Sequence, residues 1–377
     1  MTVQAPTHRP GRTGLTGRLP WTIRLERRLE VPRWLPPATT IGAVVVALLI
    51  GGLILAFVGA DPIRTFVHVV RSSFGSLGVL SDTLVTATPL IFTGLACALA
   101  FRMRLWNIGA EGQLFIGGWA ASAVVLIPIV PQGTPSFITI PLMALAGAVG
   151  GAAYGAIPGI LKAFRGVNEI IVTLMLNYVA VFWLGFWVFG PWSEAGFQQT
   201  PQFPRDAWLP RLSDFAEAVP AFSGLTVHAG FLAALMAAVL VRFLLFRSRR
   251  GYEIRLIGDS PRAARYAGID VARNTIIVFA ISGALAGLAG ASEVSGVIHR
   301  LQPSISPGYG FTAIIVAYIA KLNPYGVVVA AIAFGALILA GREIQPSGIP
   351  AMIQGILLFS LIASEVFLRY RVRIERR

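Results

Sequence analysis

Charge is scarce in this chain. Only 13% of its 377 residues are charged and 55% are hydrophobic; a soluble globular domain carries roughly a quarter charged residues. That shortage excludes a water-soluble fold and defines an integral membrane protein. Lysine is nearly missing: Lys162 and Lys321 are the two, and arginine supplies the rest of a net charge of +14. Neither lysine lies in the Gly-Lys-Ser/Thr context of a Walker A loop, so the chain has no P-loop for ATP. Cysteine is limited to Cys97, inside an apolar run, where it reads as a small buried hydrophobe and excludes any disulfide within the chain. The four histidines, His8, His68, His228 and His299, stand singly. No Cys/His cluster could hold zinc, so no metal site is expected. No Gly-x-Ser-x-Gly elbow occurs either. The basic balance does not indicate nucleic acid, because the arginines sit in tails and loops that flank apolar runs, as the positive-inside rule expects.

What the chain does contain is long apolar segments. A spanning helix needs about 20 mostly apolar residues. Ten candidates lie near 40–60, 83–101, 113–131, 137–161, 170–190, 226–246, 274–297, 310–321, 325–341 and 350–368. The eighth is short and ends at "KLNP", which suits a broken or half-length helix. The first is too long for a signal-peptide core and lacks a small-residue cleavage site. Residues 1–38, rich in Arg and Pro, read as a basic disordered tail, 39–370 as the transmembrane domain, and 371–377 as a second basic tail. Arg9, Arg12, Arg18, Arg24, Arg27, Arg28 and Arg33 precede the first span, and Arg369, Arg371, Arg373, Arg376 and Arg377 follow the last. Both ends are therefore expected in the cytoplasm, which an even number of spans satisfies. The loop 247–273, with seven arginines, then falls inside too, and the Pro- and aromatic-rich loop 191–225 falls outside. The expected fold is an all-α polytopic membrane protein of about ten spans, arranged as two halves of five if the chain is internally duplicated.

Local chemistry adds detail. Gly147, Gly151, Gly155 and Gly159 form a flat ridge along the fourth span, and Gly283 and Gly287 repeat the theme in the seventh. Such ridges let helices approach closely in lipid. In the loop 247–273, Ser260 suits an N-cap, Pro261 the first turn and Gly268 the C′ stop of a two-turn helix. So short a helix is unstable alone. It must rest on its own bundle or headgroups, or dock into a partner protein.

Five segments resemble the permease subunits of ABC importers of the branched-chain amino acid and ribose type, and most closely the nucleoside and simple-sugar branch. They are "NIGAEGQLFIGG" (107–118), "NEIIVTLMLNYVA" (168–180), "GDSPRAARYAGI" (258–269), "SGALAGLAGA" (282–291) and "GYGFTAIIVAYIAKLNPYGVVVAA" (308–331). The resemblance implies a multi-pass protein of the bacterial inner membrane that makes and breaks no covalent bonds. It implies ATPase subunits that bind the cytoplasmic face and carry the ATP and Mg, with no cofactor on this chain. It implies a second permease subunit, related or identical, and an extracytoplasmic substrate-binding lipoprotein. Ser260, Pro261, Arg262, Ala264, Arg265, Tyr266 and Gly268 would form the coupling helix.

Polar residues inside apolar spans are expensive and point to function. Asn107, Glu111 and Gln113, among Gly109, Gly112, Gly117 and Gly118, fit an irregular segment that lines the path of a small polar solute or gates it. The competing reading leaves Glu111 at the cytoplasmic interface near Arg102 and Arg104. Asn177 is placed either to bind solute or to join helices, Asn168 to cap the fifth span or to line the pathway, and Glu293, within the seventh span, to face the bundle interior and line the pathway. Phe311 and Tyr309 could stack on a planar solute or pack in the core. Two alternatives remain beside nucleosides and simple sugars: branched-chain amino acids or ribose as the cargo, and, from a different class, a polytopic membrane enzyme or scaffold.

Overall fold

A computed structural model describes residues 21–28, 32, 34–127, 129, 131, 133–342 and 348–376. It contains thirteen α-helices: α1 Leu35–Phe57, α2 Pro62–Phe74, α3 Leu77–Arg102, α4 Ala110–Leu126, α5 Ser136–Arg165, α6 Glu169–Phe189, α7 Ala229–Arg247, α8 Arg249–Asp259, α9 Pro261–Tyr266, α10 Val271–Glu293, α11 Tyr309–Ile319, α12 Pro324–Gly341 and α13 Ile349–Arg369. Eight of these are long and apolar enough to cross a membrane; α4 and α11 are apolar but shorter. The chain is a multi-pass membrane protein whose spans are all helical, and each of the ten expected segments corresponds to one of these ten helices.

Burial sorts the spans. A helix that is apolar all round belongs in the interior of a bundle. The central one is α3, buried over 89% of its apolar window, followed by α10 at 67%. The short helices α4 and α11 are largely buried against this pair, while outer helices such as α6 turn apolar residues outward, Phe182 and Phe186 among them, which suits a lipid solvent.

The packing has a partial two-fold logic. Setting the amphipathic α2 aside, α3 and α10 are the second spans of two successive five-helix groups, and α4 and α11 are the third. Correspondingly, α10 packs on α4 and α5 while α3 packs on α11 and α12. The glycine ridge of α5 meets α10 as the spacing suggests. A Cβ on Gly151 would lie 2.2 Å from the Gly283 carbonyl oxygen, and one on Gly155 would lie 2.6 Å from that of Phe279. On Gly147 it would meet Ala291 at 2.8 Å, and on Gly159 it would meet Phe279 at 3.0 Å.

Three features depart from the sequence reading. Residues 21–27 are not disordered: they form β1, Trp21–Arg27, paired antiparallel with β2, Tyr370–Arg376. Both segments alternate apolar and polar residues, and the register sets Ile23 and Leu25 opposite Ile374 and Val372, the period that a strand needs. The pairing also ties the two ends of the chain to one face. Residues 1–20 and 377 lie outside the described residues. Second, α1 begins at Leu35, inside the segment read as tail, with Pro at its start. Third, α2 and α8 lie in segments read as loops. In α2, Asp61 caps the helix by accepting from the Ile63 and Arg64 amides. In α8, Gly251, Ile254, Ile257 and Gly258 are buried, and Gly258 sits so close to the Arg102 carbonyl that a Cβ would lie 2.2 Å from it.

Candidate functional site

The stretch 103–109 does not continue α3. Lacking helical backbone, it turns back along that helix, so that the Cys97 thiol meets the Asn107 carbonyl. Asn107 therefore lies roughly 7 Å up α3 from Arg102, at 1.5 Å per residue. There the backbone cannot rely on water, and side chains satisfy it. Asn107 donates to Gln113 Oε1 at 2.9 Å and to Ser282 Oγ at 2.8 Å. Its Oδ1 accepts from the Gly109 amide and from Gln113 Nε2. Ser282 passes the chain on to the Ala96 carbonyl. From α6, Asn177 accepts from the Gly112 amide at 2.8 Å and donates to the Ile108 carbonyl at 2.9 Å. These three amide side chains are buried and occupied by the protein itself. They build the irregular segment and offer no free polar surface.

Glu111 is not at an interface beside Arg102 and Arg104. It is 5% exposed, and its carboxylate accepts from the Gly310 amide at 2.6 Å, with Ser306 and Gly308 also within hydrogen-bonding reach. Gly310 belongs to the first turn of α11 and Glu111 to the first turn of α4. Two helix N-termini thus face each other so closely that a Cβ on Gly310 would lie 2.2 Å from the Glu111 amide nitrogen. Each terminus carries roughly half a positive charge. A carboxylate placed between them offsets both, and this is what the chain gains by burying Glu111.

Tyr309, next in the chain to Gly310, lines a cavity of about 330 Å³. Its wall includes Asp82 and Thr86 of α3, Glu293 at the end of α10, Gly296 in the π-helical turn that follows it, Tyr309 at the start of α11, Arg342 after α12, and Arg211 and Thr226 from the loop 190–228. Of the residues anticipated to meet a solute, Glu293 and Tyr309 line it. Phe311 is 44% exposed on the surface of the chain and lies outside the cavity wall. Sequence reasoning passed over Asp82, Arg211 and Arg342. A charged residue near the end of a span reads as an interface residue unless the tertiary fold turns it inward.

The loop 190–228 is an ordered cap. The Leu209 amide donates to the Ser295 carbonyl, Phe203 to His299, and Thr200 to Leu301. Thr226 donates to Asp82 at 2.6 Å, and the Val227 amide donates to Ser81. Arg211 donates to the Gly296 carbonyl and meets His299 Nε2 at 2.8 Å. A guanidinium only donates, so His299 accepts there and is neutral. Burial, then the Arg211 charge, lowers His299 to about 4. The His299 ring stacks on Trp208 at 3.7 Å, and Arg205 lies over that indole at 4.3 Å.

The opposite face carries the helix anticipated in the loop 247–273. Ser260 accepts from the Ala263 amide as the N-cap. Ala264 is fully buried, Tyr266 is 94% exposed, and Gly268 adopts the left-handed backbone at φ +74°. The exposed side includes Arg262 and Arg265. On the same face Asn168 caps α6 through the Ile170 amide, and Glu169 pairs with Lys162.

A polar cavity inside a bundle of apolar helices, capped by an ordered loop, is the architecture of a membrane transport protein. The match is specific. The model of the family described as branched-chain amino acid transport system / permease component covers residues 79–363, and this chain belongs to that family. It is 37% identical to the glucose ABC transporter permease protein TsgB13 of Haloferax volcanii, covering 93% of this chain and 94% of that one. It is 35% identical to the guanosine ABC transporter permease protein NupP of Bacillus subtilis, covering 85% and 90%. It is 31% identical to the nucleoside ABC transporter permease protein NupB of Lactococcus lactis, covering 85% and 88%. The chain is an ABC transporter permease subunit.

Proposed function

We propose that this chain carries nucleosides or simple sugars inward across the inner membrane by alternating access, with the energy supplied by partner ATPase subunits. The observation that carries the reading is the polar cavity walled by α3, α10, the start of α11, the end of α12 and the cap loop. A solute held there meets the start of the short helix α11 through Tyr309, and movement of that helix away from α4 would open a way to the opposite face. The similarity to permeases named for guanosine, nucleosides and glucose supports that class of cargo. The face bearing α8, α9 and both chain ends is cytoplasmic in this reading, because arginine concentrates there. Tyr266 and the arginines of α9 then meet the ATPase, which binds ATP and Mg; this chain contributes no nucleotide site and no catalytic residue. A second permease, related or identical, completes the pathway, and an extracytoplasmic lipoprotein delivers solute to the capped face.

The test is uptake of labelled uridine, guanosine and glucose in cells with and without the gene, competed by unlabelled ribose and leucine. Deletion should abolish uptake of one of the three labelled solutes, with no competition from leucine. Uptake that persists for all three overturns the cargo assignment, and competition by leucine or by ribose alone moves it to an amino acid or to ribose.

A further inference from the structure

We propose that the cavity reads the hydroxyl groups of a sugar ring, so that a nucleoside is recognised through its ribose and a hexose by the same contacts; this rests on the transport reading above. The cavity wall places two carboxylates, Asp82 and Glu293, with two guanidiniums, Arg211 and Arg342, and the hydroxyls of Tyr309 and Thr226. The formal charges cancel, which suits a neutral solute. Glu293 is 6% exposed and Tyr309 1%. Among the described residues neither the Glu293 carboxylate nor the Tyr309 hydroxyl has a hydrogen-bond partner, although both line the cavity. Arg342 is near enough for its charge to act on both, and a carboxylate in so enclosed a place gains from further donors. A bound diol would supply them, since each hydroxyl donates to a carboxylate and can accept from an arginine. Asp82 already takes one donor, Thr226, and has acceptor capacity left.

The wall also says what is not read. Tyr309 is the one aromatic side chain among the described lining residues, and it is almost fully buried. There is no pair of rings to sandwich a nucleobase. Selection by the sugar rather than the base explains how glucose and nucleoside permeases can share one scaffold.

The experiment compares uptake of uridine with that of 2′,3′-dideoxyuridine, and of glucose with 2-deoxyglucose, in cells expressing the native chain, Glu293→Gln, Asp82→Asn or Tyr309→Phe. The binding protein is the same throughout, so its own preference cancels when each variant is referred to the native ratio. Membrane abundance is measured for every variant, and Tyr309→Phe, which removes one oxygen, covers the case in which a carboxylate variant fails to assemble. The expected result is that the half-saturating preference for the hydroxylated member falls about tenfold in Glu293→Gln, as loss of a hydrogen bond to a charged group implies, with a smaller fall in the other two. Uptake of both members reduced in equal proportion, or ratios unchanged, overturns the hydroxyl-reading site while leaving the transport reading intact. Uptake of every solute surviving deletion of the gene removes the transport reading, and the site falls with it.

Discussion

At the scale of single residues, the polar groups inside this membrane protein divide by whether the protein satisfies them. Asn177 is fully occupied. It bridges α6 to the backbone of the segment 108–112 through one donated and one accepted bond. Replacement by leucine keeps the size and leaves the Gly112 amide and the Ile108 carbonyl unpaired. Unmet buried groups of this kind cost about 1–3 kcal/mol each, although polar contacts in membrane bundles have averaged about 0.6 kcal/mol. Asn177→Leu should therefore lower the thermal unfolding midpoint of the detergent-purified protein by several degrees and reduce uptake. An unchanged midpoint would show that water reaches the junction. Glu293 is the contrasting case, since it lines the cavity and, among the described residues, makes no hydrogen bond, with the charge of Arg342 acting on it. The sequence flagged both as polar residues at membrane depth. It could not separate them, because the partner of Asn177 lies 65 residues away and the emptiness beside Glu293 is a property of four elements together.

At the scale of elements, the α5–α10 contact is where spacing spoke most clearly. Four glycines at intervals of four residues lie on one helix face, and the partner ridge at Gly283 and Gly287 was visible too. The structure adds how little room remains. A Cβ on Gly287 would stand 2.1 Å from the Gly147 carbonyl oxygen, whereas one on Gly355 of α13 meets nothing within 4 Å. Gly287→Ala should destabilise by about 1–3 kcal/mol, the usual cost of overpacking, and Gly355→Ala should leave the unfolding midpoint where it is or raise it slightly. Equal effects from the two would mean that α5 and α10 do not approach as closely as described. Helices α2 and α8 were missed because they are short and amphipathic or charged. In a chain scanned for long apolar runs, their periodicity has no span to announce it.

At the scale of the whole molecule, the asymmetry of arginine fixes an orientation that can be measured. Cys97 is the one cysteine in the sequence and is buried, so a background with Cys97→Ala accepts single reporters. Tyr266→Cys on α9 and Glu217→Cys in the cap loop lie at exposed positions on opposite faces. A membrane-impermeant maleimide added to intact cells should label Glu217→Cys and spare Tyr266→Cys, and inverted vesicles should reverse the pattern. Labelling of both from one side would overturn the expected topology.

The sequence by itself determined that this is a polytopic membrane protein and where its apolar segments lie. It also carried the face on which its arginines gather, the capped helix of residues 260–268 and the glycine ridge. Each of these follows from short-range periodicity or from partition between water and lipid, which adjacent residues encode. Only the tertiary structure decided that Asn107, Gln113 and Asn177 are consumed in holding a re-entrant segment. Only it set Glu111 between two facing helix ends, and it brought Asp82, Arg211 and Arg342 to Glu293. Those outcomes depend on which distant backbone amide or charge arrives beside a side chain, and a bond such as Glu111 to Gly310 spans 199 residues, far beyond any local pattern.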